Sequence, residues 1–136
     1  MRVILNPSDI PGRLVPTLAS KGYAVVLATN PLFPAVAVET RLRWAGLGMR
    51  NFVHVTHYEN STYCKPNPGY FREILGKIAK APDQCLMVGN TPAEDMSAGV
   101  LGISLFLVTD CLENETGADI SQYKNGTLAE LEEYLM

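Results

Sequence analysis

No basic cluster, no membrane-length apolar run and no Cys-x-x-Cys pair occur in this sequence of 136 residues. Its 11 Lys and Arg are scattered singly against 14 Asp and Glu, giving a formal net charge of -3. Such a surface argues against nucleic acid as a partner, because a duplex is held by neutralising its phosphates. No apolar stretch approaches the roughly 20 residues of a spanning helix, and the first residues show no signal-peptide pattern. No membrane association is therefore expected. Cys64, Cys85 and Cys111 are odd in number and widely spaced, so no disulfide framework is expected and a reducing, cytoplasmic location fits. Histidine is also scarce: His54 and His57 lie three apart on or beside an expected strand, where they face opposite sides and make no zinc pair. Gly46-Leu47-Gly48 lacks both a preceding strand and a third glycine, so it is not a dinucleotide loop. Length and a 47% hydrophobic composition suit one domain spanning 1–136.

What is present centres on Cys85 to Asp95, read Cys-Leu-Met-Val-Gly-Asn-Thr-Pro-Ala-Glu-Asp. An apolar run stops at Gly89-Asn90, and a polar turn opens a helix. Thr91 is a good N-cap, Pro92 suits the first helical position, and Glu94 completes a Thr-x-x-Glu capping box. Asp95 also suits the positive end of the helix dipole. A strand feeding a helix start places polar groups at the carboxyl edge of a sheet, where open α/β folds bind ligands. The unpartnered first amides of the helix favour an anion there.

Along the chain, Arg2–Leu5 reads as a short strand and Arg13–Lys21 as a helix closed by Gly22, with Leu14 and Leu18 on one face. Tyr23–Ala28 is a continuous apolar run suited to a strand buried on both faces, ending in polar Thr29-Asn30-Pro31. Pro34–Ala45 is helical in pattern, with Val38, Leu42 and Ala45 on one stripe. Asn51–Thr56 reads as a strand and His57–Pro66 as a polar loop. Asn67-Pro68 starts a helix to about Lys80, with Phe71, Ile74, Leu75 and Ile78 inward. Trp44, Tyr58, Tyr63 and Tyr70 are expected to pack or line loops. Cys85–Val88 is a strand, Pro92–Leu101 a helix, Ile103–Val108 a strand and Asp110–Asn125 irregular. Thr127-Leu-Ala-Glu130 is a second capping box. Strands alternating with helices predict an α/β fold, three-layer and Rossmann-like, with a mostly parallel sheet.

Three features, in this order, resemble the core of a haloacid dehalogenase-like (HAD) hydrolase. Val25-Val-Leu-Ala-Thr-Asn30 is similar to the family's second motif, a strand ending in Thr or Ser. Cys64-Lys-Pro-Asn-Pro-Gly-Tyr-Phe71 is similar to the third, a lysine opening a helix. Met87-Val-Gly-Asn-Thr-Pro-Ala-Glu-Asp95, with Leu101-Gly-Ile103, is similar to the fourth. The resemblance implies a Mg²⁺-dependent phosphatase acting on a small phosphorylated metabolite through an aspartyl-phosphate. By the same resemblance Thr29 and Asn30 bind phosphate, Lys65 neutralises phosphate and nucleophile, and Asn90 and Asp95 hold or orient Mg²⁺. Thr29 and Lys65 are thereby the catalytic candidates.

The departures bear on activity. The family's first motif, Asp-x-Asp, supplies the nucleophile and the general acid/base, and no Asp-x-Asp occurs in these residues. Asn90 stands where the fourth motif usually carries a carboxylate, and the cap domain between the first and second motifs is lacking. The chain is therefore expected to be inactive or very weak alone, and incomplete at its N-terminus. In the family the first strand is central, and without it two strand edges would face each other across about 10 Å. Arg2–Leu5 could fill that slot, placing Asn6 and Ser8 at the nucleophile and acid/base positions. Alternatively a preceding segment or self-association completes the sheet. A non-catalytic module binding phosphate or a protein partner is the competing function, and a phosphorylated receiver-like domain is a third.

Overall fold

In the computed structural model, which describes residues 10–110, 112–114 and 117–136, the chain falls into two units divided between Cys64 and Lys65. The strand expected at Arg2–Leu5 lies outside the described residues, as do Asn6, Ser8 and Cys111.

The first unit begins with α1, Ile10–Ser20, which buries Leu14. Its end is the expected glycine stop. Gly22 adopts φ +91, and the Tyr23 amide reaches back to the Leu18 carbonyl at 3.1 Å. Strand β1 is Val26–Leu27 and pairs in parallel with β2, His54–Val55. The regular ladder is thus shorter than the Tyr23–Ala28 run, although Val53 N to Val25 O (2.9 Å) and Thr56 N to Leu27 O (3.1 Å) prolong it at both ends. Tyr23 and Ala24 are exposed and Val25–Ala28 half-buried, so burial on both faces does not hold for this run. The helix α2, Ala35–Trp44, contributes Val38 and Leu42 to a core with Leu47 and Val55. Ala45, expected on the same stripe, is exposed, as are Trp44, Tyr58 and Tyr63.

Pro34, the residue before α2, has no side chain able to cap it, and the helix is capped from the loop after β2 instead. Glu59 accepts the Ala35 amide at 3.1 Å, and His57 Nδ1 lies 2.9 Å from Glu59 Oε2. Desolvation pushes the Glu59 carboxyl up. Hydrogen bonds from its own amide, the Ala35 amide and the His57 ring outweigh this and hold it below the ordinary carboxylate value. A carboxylate lowered in the folded state stabilises above its unfolded pKa, and the contribution is lost as pH falls through the folded value. The start of α2 is therefore expected to loosen as pH falls below the ordinary glutamate range. Amide exchange at Ala35, corrected for intrinsic rate, should show this acid step in the wild type and not in Glu59→Gln; equal steps in both would refute the cap.

The second unit starts with α3, Pro68–Ile78. Asn67 Oδ1 accepts the Gly69 amide at 2.8 Å, as expected of an N-cap. Tyr70, Phe71 and Ile74 are buried, whereas Leu75 and Ile78 are half-buried. The strands β3 (Leu86–Gly89), β4 (Ser104–Val108) and β5 (Asn125–Gly126) form a parallel sheet in that order. Phe106, Leu107 and Val108 of β4 are buried. The last helix, α5 (Leu128–Leu135), stacks Tyr134 on Phe106 at 5.6 Å. The Thr127/Glu130 capping box forms as expected, and Asp110 Oδ2 additionally accepts the Leu128 amide at 3.3 Å.

The helix expected over Pro92–Leu101 is only partly α-helical. One turn, α4 (Pro92–Asp95), passes into a 3-10 helix over Met96–Leu101. Ser97 Oγ donates to the Glu94 carbonyl at 2.5 Å, and Gly99 follows, so hydroxyl competition and a poor helix former coincide where the geometry tightens. Among the described residues, no helix is long and apolar enough to cross a membrane.

Candidate functional site

The turn after β3 is organised by Asp95. This side chain is buried and folds back over the chain that precedes it. Its Oδ2 accepts the amides of Asn90 (3.0 Å) and Thr91 (3.1 Å), and its Oδ1 accepts Lys65 Nζ. Lys65 and Asp95 side chains are only 8% and 6% exposed, so the pair is shielded from solvent on both sides. The expected Thr91/Glu94 box does not form. Thr91 makes no side-chain cap, and its hydroxyl instead lies 3.4 Å from Asn90 Oδ1. Asp95 instead accepts the amide of the N-cap residue Thr91 and that of Asn90 before it, which places a carboxylate beside this helix start.

Gly89 makes the fold-back possible. A Cβ built there would fall closer than 3.0 Å to Asp95 Cβ, Cγ and Oδ2. The Asn90 carbonyl accepts the Glu113 amide at 2.8 Å, which ties the segment after β4 to the same turn. Lys65 Nζ also sits 5.9 Å from the Tyr70 ring centroid, and Tyr70 packs edge-on against Phe71 at 4.9 Å.

Three of the five expected site residues, Lys65, Asn90 and Asp95, are thus brought together in the second unit. Thr29 and Asn30 belong to the first. Thr29 is 5% exposed at the end of β1, and its carbonyl accepts the Thr56 hydroxyl at 2.6 Å. The Asn30 carbonyl accepts the Leu32 amide at 2.8 Å, closing the turn that follows. Sequence reasoning missed Thr56 and the spatial demand at Gly89. A threonine ending an apolar run and a glycine ending a strand were the available signals. Burial pushes the Cys85 thiol up, which leaves it a poor nucleophile.

The donor set bears directly on a metal. Asp95 already accepts three donors, one of them a cation that balances its charge. Asn90 offers a neutral amide oxygen. Among the described residues, no group of three or more His, Cys, Asp and Glu side chains is placed to hold an ion. These residues by themselves do not fit a resident Mg²⁺, which favours several hard oxygen ligands and carboxylate charge.

Residues 8–101 match the sequence profile of the haloacid dehalogenase-like hydrolases. The chain belongs to that family. No curated protein matches it. Solved structures similar to this HAD-like chain include a predicted phosphoglycolate phosphatase from Haemophilus somnus, at 21% identity and a TM-score of 0.71, covering 90% of this chain and 54% of that one. A putative beta-phosphoglucomutase from Thermotoga maritima is similar at 20% identity and a TM-score of 0.71, over 96% of this chain and 59% of that one. A putative HAD-hydrolase from Bacillus subtilis, bound to magnesium, is similar at 20% identity and a TM-score of 0.70, over 89% and 53%. The chain spans little more than half the length of these structures. Likeness at such identities carries the fold, which is α/β with parallel sheets of the HAD type.

Proposed function

We propose that this HAD-like chain binds the phosphate of a small phosphorylated metabolite, with Thr29 and Asn30 at the end of β1 and Lys65 before α3 each a candidate phosphate contact within its own unit, and with hydrolysis by the chain alone absent or very slow. The observation that carries this reading is the buried Lys65–Asp95 pair, braced on the Asn90 and Thr91 amides. An ammonium held in place by a carboxylate is pre-oriented, so it meets a phosphate without first losing side-chain freedom. Asp95 acts here as an orienting group for Lys65 and for the turn. Thr29 supplies a hydroxyl donor at the end of β1, and Asn30 an adjoining amide.

Slow or absent turnover follows from the residues. The family's chemistry needs an attacking carboxylate followed two positions later by an acid/base carboxylate, and the five aspartates of this chain include no such pair. The Mg²⁺ on which the family's chemistry typically draws would supply charge neutralisation at the transferring phosphoryl group. Here it would need oxygen ligands beyond Asn90 and the already engaged Asp95.

Calorimetric titration with inorganic phosphate, with and without Mg²⁺, tests the reading, alongside hydrolysis of an activated aryl phosphate. Saturable phosphate binding is expected in the wild type. Thr29→Val should weaken it about tenfold, the loss of one hydrogen bond to a charged group. Failure of phosphate to bind at all would refute the proposal. Turnover abolished by Lys65→Ala would replace it with a working hydrolase whose nucleophile lies outside the Asp-x-Asp pattern.

A further inference from the structure

We infer that Thr56 is the positioning residue for Thr29, acting through the Thr29 backbone. The inference rests on the assignment of Thr29 to phosphate made above. The regular pairing of β1 with β2 ends at Leu27 and Val55, one residue short of Thr56 and two short of Thr29. Beyond that point the ladder no longer dictates where the chain goes. Thr56 takes over. Its amide donates to the Leu27 carbonyl at 3.1 Å, and its hydroxyl donates to the Thr29 carbonyl at 2.6 Å, with the Leu27 carbonyl 3.4 Å from the same hydroxyl. One residue therefore grips the β1 chain on both sides of Ala28.

Fixing the Thr29 carbonyl fixes the peptide plane joining Thr29 to Asn30, and with it the direction of the Asn30 amide and the setting of the Thr29 side chain. Leu32 N to Asn30 O, at 2.8 Å, closes the turn on its far side. Thr56 is 1% exposed. A buried site at the end of an apolar strand would be filled at least as well by valine if packing were the whole requirement, since burying a hydroxyl is unfavourable unless it is bonded. The hydroxyl is bonded, and its short partner is the backbone of the residue proposed to touch phosphate. Thr56 itself need not meet the ligand.

The test compares Thr56→Val, Thr56→Ser, Thr29→Val and the double variant Thr29→Val/Thr56→Val by calorimetric titration with inorganic phosphate, each first shown to be folded by circular dichroism. Thr56→Val, which keeps the shape and removes the donor, should weaken binding about fivefold, as for one ordinary hydrogen bond. Thr56→Ser should bind within about twofold of wild type, because it keeps the donor. The double variant should bind no more weakly than Thr29→Val alone, since Thr56 works only through Thr29. Should Thr56→Val not fold, Thr56→Ala takes its place under the same criteria. Wild-type affinity in the donorless variant, with Thr29→Val weakened, overturns this inference while leaving the phosphate reading intact. Additive losses in the double variant also overturn it. Absence of phosphate binding in the wild type removes both together.

Discussion

Lys65→Met is expected to destabilise the protein by about 3–5 kcal/mol, the range for breaking a buried ion pair from one side. Methionine fills similar volume, so the loss is electrostatic rather than steric. It leaves the Asp95 carboxylate 6% exposed with the Lys65 charge gone and, among the described residues, the Asn90 and Thr91 amides to hold it. Removing the charge as well separates this cause from lost packing. Lys65→Met/Asp95→Asn should recover a large part of the deficit, because the buried Asp95 charge is then no longer left without its ammonium. Urea unfolding of the wild type, both single variants and the double variant gives the coupling energy directly. Equal stability of Lys65→Met and wild type would show that the pair is solvated in solution, and the pre-oriented ammonium invoked for phosphate would go with it.

Gly89→Ala is the second large effect, and its cause is space rather than backbone angle. The added Cβ would be driven into Asp95 Cβ, Cγ and Oδ2. A flexible side chain could swing away at little cost. Asp95 cannot, since moving it gives up Lys65 and two turn amides at once. Overpacking of this kind costs about 1–3 kcal/mol, and lost charge-assisted hydrogen bonds add about 1.5–3 kcal/mol each. A destabilisation of about 3 kcal/mol or more is therefore expected in chemical denaturation. In an Asp95→Gly background all three obstructing atoms are gone, and Gly89→Ala should then have little further effect. A full-size loss in that background would mean the glycine is needed for something other than this carboxylate.

The parts of the molecule that could be read from sequence are those set by local chemistry. The Asn67 cap, the Thr127/Glu130 box and the Gly22 stop all appeared where residue types demand them. So did the alternation of strand and helix. What could not be read depends on residues far apart in the chain. The Thr91/Glu94 box was locally sound, yet Asp95 displaced it because a lysine 30 positions earlier makes its burial favourable. The cap of α2 comes from Glu59, 24 positions away, and no local pattern at Pro34 announces it. The reach of β1 was overstated because an apolar run records hydrophobicity, whereas a ladder requires a partner, and β2 pairs with only part of the run. Thr56 was passed over for the same reason: its hydroxyl matters through a carbonyl 27 residues earlier.

The segments following β2 and β4 are each fastened to a helix. Glu59 holds the first amide of α2, and Asp110 holds the first amide of α5, while the Glu113 amide hangs on the Asn90 carbonyl. Neither Glu59 nor Asp110 can turn outward without giving up the helix amide it holds. Any excursion has to be accompanied by fraying of the helical turn it grips, so loop mobility and helix-end stability in each unit rise and fall together.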